Sequence, residues 1–305
     1  MSLLLRGPSC EHIPLPRGPP HVTRASGDAD FDVRFSPHYA DSLISLALDR
    51  GFDGYLINIE VALELGFQCS GETWPWWVPP RTKKIERRKN AQRLRAWLAY
   101  LRLEGRRRVA LINEEQGSKR RERSWHISWY DSVTFTTGEL QWQDALTVKN
   151  QAFFEVSDSI FTNYTWARPP SPEPPGNFPL PQYGFTGPGD GGFHPALAHS
   201  AEMARRMGRS KTDVFVGIDV FGRNCWGQQD TWRSLRMIRP KVPGSSSDFV
   251  VAGPTGMSVA LFAPGWTWEH NPPMIGGRPW SKWWDLEASM WRSTVGGERS
   301  IQHYY

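Results

Sequence analysis

Apolar residues occur along this chain in short runs separated by longer stretches with a helical period. The runs lie within "GFDGYLINIE" (51–60), "RVALINEE" (108–115), "HISWYDSVT" (126–134), "SIFTNYTW" (159–166), "DVFVGIDVFG" (213–222) and "SVALFAPGW" (258–266). Their length and their Val, Ile, Phe and Tyr content predict strands. Helices are expected between most of them, at 36–51, 82–104, 140–156, 194–208 and 228–237. In the first, Ser36 can cap, Pro37 takes the favoured first position and Gly51 closes the last turn. The second is basic and amphipathic, with Ile85, Leu94, Trp97, Leu98 and Leu101 as its apolar stripe. Strands spaced by helices predict βα units and a parallel sheet. Residues 71–80, "GETWPWWVPP", read as an aromatic loop, and 168–193 and 239–248 as loops rich in Pro, Gly and Ser. Residues 117–124 are charged and expected to be exposed. Residues 1–30 have no periodicity and read as a poorly ordered lead-in.

Polar and aromatic residues close the apolar runs. Asn58 and Glu60, Tyr130 and Asp131, Asn163, Tyr164 and Trp166, Asp219 and Phe221, and Trp266 and Trp268 all stand at such ends. A strand sends residues i and i+2 to one face. Asn58 and Glu60 therefore point the same way as Leu56, while Tyr55, Ile57 and Ile59 point the other way. Alone, this pair fits a strand that turns polar as it meets solvent, or a site that needs an amide beside a carboxylate. Several strands ending alike predict one rim lined by such groups, as at the C-terminal ends of the strands in a (β/α)8 barrel. Asn113 and Glu115 repeat the spacing in "ALINEE", but with no comparable surroundings they read as structural.

Composition sharpens this picture. Hydrophobic residues make up only 39%, with 28 Gly and 25 Pro, so a core carrying long loops is expected. The 16 Trp suit stacking on the apolar faces of sugar rings, or simply core filling. The net charge of +5 is local, concentrated in 81–108 and 119–123. No nucleic-acid motif accompanies it, and a solvated helix face is the expectation. Cys10, Cys69 and Cys225 have no metal-ligand spacing and no even framework, which suits a reducing compartment. No stretch has the ~18 apolar residues of a membrane span. "MSLLLRGPSC" is too short for a signal-peptide core. A cytosolic protein is therefore expected.

The motifs "GFDGYLINIE", "WYDSVT..TGELQWQDAL", "N..FFEVSDSIFTNYTW", "DVFVGIDVFGRN" and "SVALFAPGWTWE", in this order, closely resemble glycoside hydrolase family 85, the cytosolic endo-β-N-acetylglucosaminidases. The resemblance covers about residues 31–293. It implies a TIM-barrel domain over 31–293, a C-terminal tail at 294–305, no metal or organic cofactor, and N-linked glycans, free or on glycoproteins, as substrates, with no nucleic-acid or membrane partner. The bond cut is the one between the two core N-acetylglucosamine residues. The implied chemistry is retaining and substrate-assisted, an exception to the two-carboxylate scheme. On this resemblance Glu60 is the general acid/base, Asn58 holds the acetamide, and Tyr130 hydrogen-bonds it from the neighbouring strand. Trp142, Asn163, Trp166, Asp219 and Trp266 match motif positions expected to line the glycan cleft. Trp142 also suits helix packing, and Asp219 a brace between strands.

Six strand candidates, one of them outside every motif, fall short of the eight of a closed barrel, so an incomplete or irregularly closed one is expected. Residues 105–124 look foreign to the motif spacing and suggest an insertion. The alternative to an active enzyme is a lectin-like chain that binds glycans without cutting them.

Overall fold

In α1, His38–Arg50, buried Ala40, Ile44 and Ala47 fall on one face. Ser36 Oγ accepts from the His38 N–H at 3.4 Å, and the Asp41 N–H donates to Pro37 O at 2.9 Å. Gly51, at φ +77°, ends the helix in the left-handed conformation that glycine adopts without strain. The computed structural model describes residues 2–4, 35–63, 80–116, 122–166, 195–223, 234, 238, 256–263 and 269. The chain divides into two compact units, residues 1–143 with 148–160, and residues 144–147 with 161–305.

In the first unit, Gly54–Asn58 forms β2, paired in parallel with β3, His126–Tyr130. Tyr55 and Ile57 face the helices. Tyr55 Oη donates to Leu43 O at 2.8 Å, and its ring meets Trp125 edge-on. Ser2–Leu4, expected within a poorly ordered lead-in, instead forms β1, with Leu4 in register with Asn58. Ser159 and Ile160 begin β4, Ser159–Thr162, beside β3.

Helix α2 runs from Pro80 to Gln116, far past the expected end at 104. The strand expected at 108–115 is its last turns, so residues 105–116 continue the helix. Leu98, Leu101, Gly105 and Val109 are buried at helical spacing, and this tertiary seam outweighs the strand preference of "VALI". Asn113 is structural, as expected. It accepts from the Arg123 N–H and donates to Arg123 O, both at 2.9 Å, clasping the returning chain.

The basic residues of α2 act largely as ties. Arg102 and Arg106 both grip buried Asp158, whose other oxygen accepts from the Ile127 N–H of β3 at 2.8 Å. Arg95 reaches Glu155, Arg87 reaches Glu139, and Arg108 reaches Asp41.

A helix over 140–156 is not what forms. Only Gln151–Val156, α3, is helical. Leu140 bridges antiparallel to Val133. The Asp131 carboxylate accepts from the Gln143 N–H and from Asn150 Nδ2, both at 2.9 Å. These side-chain bonds give the backbone an alternative to the helical ladder. Phe153 of α3 stacks on Trp129, ring centroids 4.4 Å apart, covering the outer face of β3.

In the second unit, α4, Pro195–Arg206, buries Leu197, Ala198, Ala201 and Ala204. A 3-10 turn, Lys211–Asp213, leads into β5, Val214–Asp219. β5 pairs in parallel with β6, Ser258–Phe262, Val216 opposite Val259 and Asp219 opposite Phe262. Phe161 and Thr162 of β4 lie on the other side of β5. The aromatic loop but for Pro80, the loops expected at 168–193 and 239–248, and the helix expected at 228–237 but for helical, buried Ser234 lie outside the described residues. No helix among the described residues is long and apolar enough to cross a membrane.

Two predictions follow from this packing. Gly→Ala inside a helix ordinarily stabilises by ~1 kcal/mol. At Gly105 the added Cβ would lie 2.1 Å from the Trp125 indole, itself tied to Leu101 O. Gly105→Ala is expected to cost about 1–3 kcal/mol instead, read as a fall in Tm. Burial, helped by Arg206, holds the His199 imidazole below its usual pKa. The unfolded chain therefore takes a proton that the folded one resists. Stability is full above about pH 6.5 and falls as pH drops below it. His199→Gln should flatten that acid limb in pH-dependent melts.

Candidate functional site

Asn58 ends β2 and Glu60 follows two residues later. Asn58 Nδ2 donates to Glu60 Oε1 at 2.8 Å, so the two side chains are neighbours. Glu60 is exposed, and Asn58 is its partner. Asn58 Oδ1 is buried and accepts no hydrogen bond among the described residues. A buried acceptor without a donor is costly unless something supplies one. The pair thus sets an exposed carboxyl beside an amide whose carbonyl oxygen is buried with no donor among the described residues.

Tyr130 belongs with this pair by register. Ile57 lies opposite Trp129, so the next rung sets Asn58 opposite Tyr130. Opposite residues on parallel strands share a face. Tyr130 is buried, at 5% exposure. The segment after Glu60 is pinned by the Leu63 N–H, which donates to Gly138 O at 2.9 Å, and by Asn90 Nδ2, which donates to Leu63 O at 2.8 Å.

Trp142 lies in the loop expected to be helix, and is 46% exposed. Helix packing is therefore not its role. The Gln141 N–H donates to Ser132 O, and the Gln143 N–H to buried Asp131, so the residues on either side of the indole are anchored. A large aromatic face held out on a braced loop can stack on a ring.

In the second unit the expected residues turn inward. Trp166 is 3% exposed and its Nε1 donates to Gly217 O at 2.8 Å. Asp219 is fully buried. It accepts from the Phe221 and Arg223 N–H groups and from the Arg223 guanidinium, with Nε at 2.6 Å. That bond pushes the Arg223 pKa further above the guanidinium range. Arg223 lies over the Phe221 ring, 4.8 Å from its centroid. Glycan contact is the expectation for Trp166 and Asp219; both are buried, and Asp219 fixes the loop after β5. Asn163 is also buried, and its Nδ2 donates to Asp144 Oδ1 at 2.7 Å and to Thr165 Oγ1 at 2.8 Å. Trp266 lies outside the described residues.

Asp131, expected among the polar residues that close the strands, is a buried brace, whereas Asp144, given no role from the sequence, accepts from Asn163 and Thr165. The helical reading of 140–156 hid Asp144, since it turned "QWQD" into a helix face. Among the described residues no group of three or more His, Cys, Asp or Glu is arranged to hold a metal ion.

The brace and the presented ring separate in a melt. Asp131→Ala leaves two donors without their acceptor and is expected to cost about 2–3 kcal/mol. Trp142→Ala should change stability by no more than ~0.5 kcal/mol.

The sequence model of Glycosyl hydrolase family 85 matches residues 24–304, a wider span than 31–293. The chain is 29% identical over 255 residues to cytosolic endo-beta-N-acetylglucosaminidase 2 of Arabidopsis thaliana, covering 83% of this chain and 25% of that protein. It is 30% identical over 240 residues to the human cytosolic endo-beta-N-acetylglucosaminidase, covering 78% and 22%. The chain thus spans about a quarter of the length of these relatives.

Proposed function

From the premise that the chain belongs to glycosyl hydrolase family 85, we propose that it is an endo-β-N-acetylglucosaminidase. It cuts the β1,4 bond between the two core N-acetylglucosamine residues of N-glycans, in the cytosol, where its relatives are named. The observation that carries this reading is the Asn58–Glu60 pair, with Asn58 Oδ1 buried and lacking a donor among the described residues. The parallel βα units support placing this pair at the C-terminal rim of a (β/α)8 barrel. The domain we propose is that barrel, 31–293, with a tail at 294–305.

The proposed mechanism assigns the nucleophile to the sugar. The acetamide oxygen of the reacting N-acetylglucosamine attacks its own anomeric carbon as the bond to the leaving oxygen breaks. Glu60, protonated on Oε2, gives that proton to the leaving oxygen, while Oε1 keeps the Asn58 bond. Asn58 Oδ1 accepts the acetamide N–H, which raises electron density on the attacking oxygen and steadies the oxazolinium that forms. The Tyr130 hydroxyl bonds the acetamide from β3. Water then attacks the anomeric carbon, Glu60 takes a proton from it, and the ring opens to the acetamide. Two inversions leave the configuration retained. One carboxyl suffices, because the second role of a retaining pair is filled by the substrate. Trp142 offers its exposed face to a sugar ring. Asn163, Trp166, Asp219 and Trp266, which match family motif positions, are the further residues proposed to serve glycan binding. No metal or cofactor enters any step, and neither nucleic acid nor a membrane is required.

Glycan release from a labelled high-mannose glycopeptide tests the reading. Glu60→Gln keeps the Asn58 bond and removes the proton donor, so release is expected to fall by at least about 10³-fold. Equal release by wild type and Glu60→Gln would exclude this site. Binding by wild type without any release would instead assign the chain to glycan recognition alone.

A further inference from the structure

We propose that Asn90 of α2 is a positioning residue for the proton donor Glu60, its bond to Leu63 O holding the backbone that carries the acid; this rests on the glycosidase reading above. The registered pairs of β2 run no further than Asn58. Glu60 and Val61 beyond it are exposed, Val61 at 60%, so core packing does not fix them. The next anchor is Leu63. Its N–H donates to Gly138 O at 2.9 Å, and its carbonyl accepts from Asn90 Nδ2 at 2.8 Å. Glu60 thus lies on a short span between two anchors, the Asn58 rung and the Leu63 clamp. The bond from Asn58 fixes Oε1. The aim of Oε2, which delivers the proton, also depends on where the backbone starts the side chain.

Both halves of the clamp lead to α2. Asn90 is 5% exposed, the buried polar side chain among the described residues of that helix. Asn is a poorer helix former than Ala or Leu, so neither helix propensity nor apolar packing calls for it here. The Leu63 carbonyl does, since a buried amide needs its partners. Asn90 Oδ1 accepts from Arg93 Nη1 at 3.0 Å, which turns the NH2 toward Leu63. One turn earlier on the same face, Arg87 O seats the other half. A Cβ at Gly138, which has φ +67°, would lie 2.5 Å from Arg87 O, so only glycine fits there. The helix therefore places Gly138, which takes the Leu63 N–H, and supplies Asn90, which takes the Leu63 carbonyl.

Asn90→Asp keeps the size of the side chain and an acceptor for Arg93, but puts an oxygen where the donor to Leu63 was. The test compares kcat/KM on two substrates that share one glycan. In the high-mannose glycopeptide the leaving group is a sugar that needs a proton; in the matching para-nitrophenyl glycoside it is a phenolate that leaves without one. A misplaced acid is expected to lower kcat/KM about 10–100-fold on the glycopeptide and no more than about threefold on the nitrophenyl glycoside. Asn90→Ala, which suits a helix, is the second variant should Asn90→Asp misfold, and the same selective loss is expected. An equal fall on both substrates would assign Asn90 to general support of the fold and overturn the proposal. Parent-like values on both, with Glu60→Gln inactive on the glycopeptide, would overturn the role of Asn90 alone. Equal release from the glycopeptide by wild type and Glu60→Gln would overturn the glycosidase reading and Asn90 with it.

Discussion

The hydrogen bond from Asn58 Nδ2 to Glu60 Oε1 is the constraint on which the functional account depends. It follows from the two-residue period of an extended chain, which sets both side chains on one face. It also divides the labour of the amide. The N–H side fixes the carboxyl, and the carbonyl side is a buried acceptor without a donor among the described residues. The β2–β3 register then brings Tyr130 to the same rung and the same face. Elsewhere in the chain, buried carboxylates brace the ends of strands.

Three other carboxylates show how. Asp131, Asp158 and Asp219 are buried, and each is surrounded by donors: Gln143 N–H and Asn150, Arg102 and Arg106 with the Ile127 N–H, and Arg223 with its loop. A buried carboxylate is tolerable only when so partnered. Each joins a strand to the loop or helix beside it. Glu60 contrasts with them, since it is exposed and its partner is a neutral amide.

Much of this was legible in the sequence. Period and capping located α1, and strand period placed Asn58 beside Glu60. The motif order identified the family that the comparison shows. Failures came where long-range contacts override local preference. "VALI" prefers a strand, yet the seam through Leu98, Leu101 and Val109 keeps it helical. "LQWQDALTVKN" has helical spacing, yet Asp131 draws its backbone into an irregular loop. Trp166 and Asp219 were matched to motif positions, but a match cannot tell a residue that faces a ligand from one that supports it. Only burial and hydrogen-bond partners separate those roles, and neither is written in the local pattern.

The central claim is that the reacting sugar supplies its own nucleophile and the chain only a proton donor and an amide clamp. The direct measurement uses a glycan whose reacting core residue carries a hydroxyl in place of its 2-acetamido group. The account predicts that this glycan is not cleaved under conditions where the natural one is. Cleavage at a rate near that of the natural glycan would contradict it, for the nucleophile would then have to come from the protein or from water.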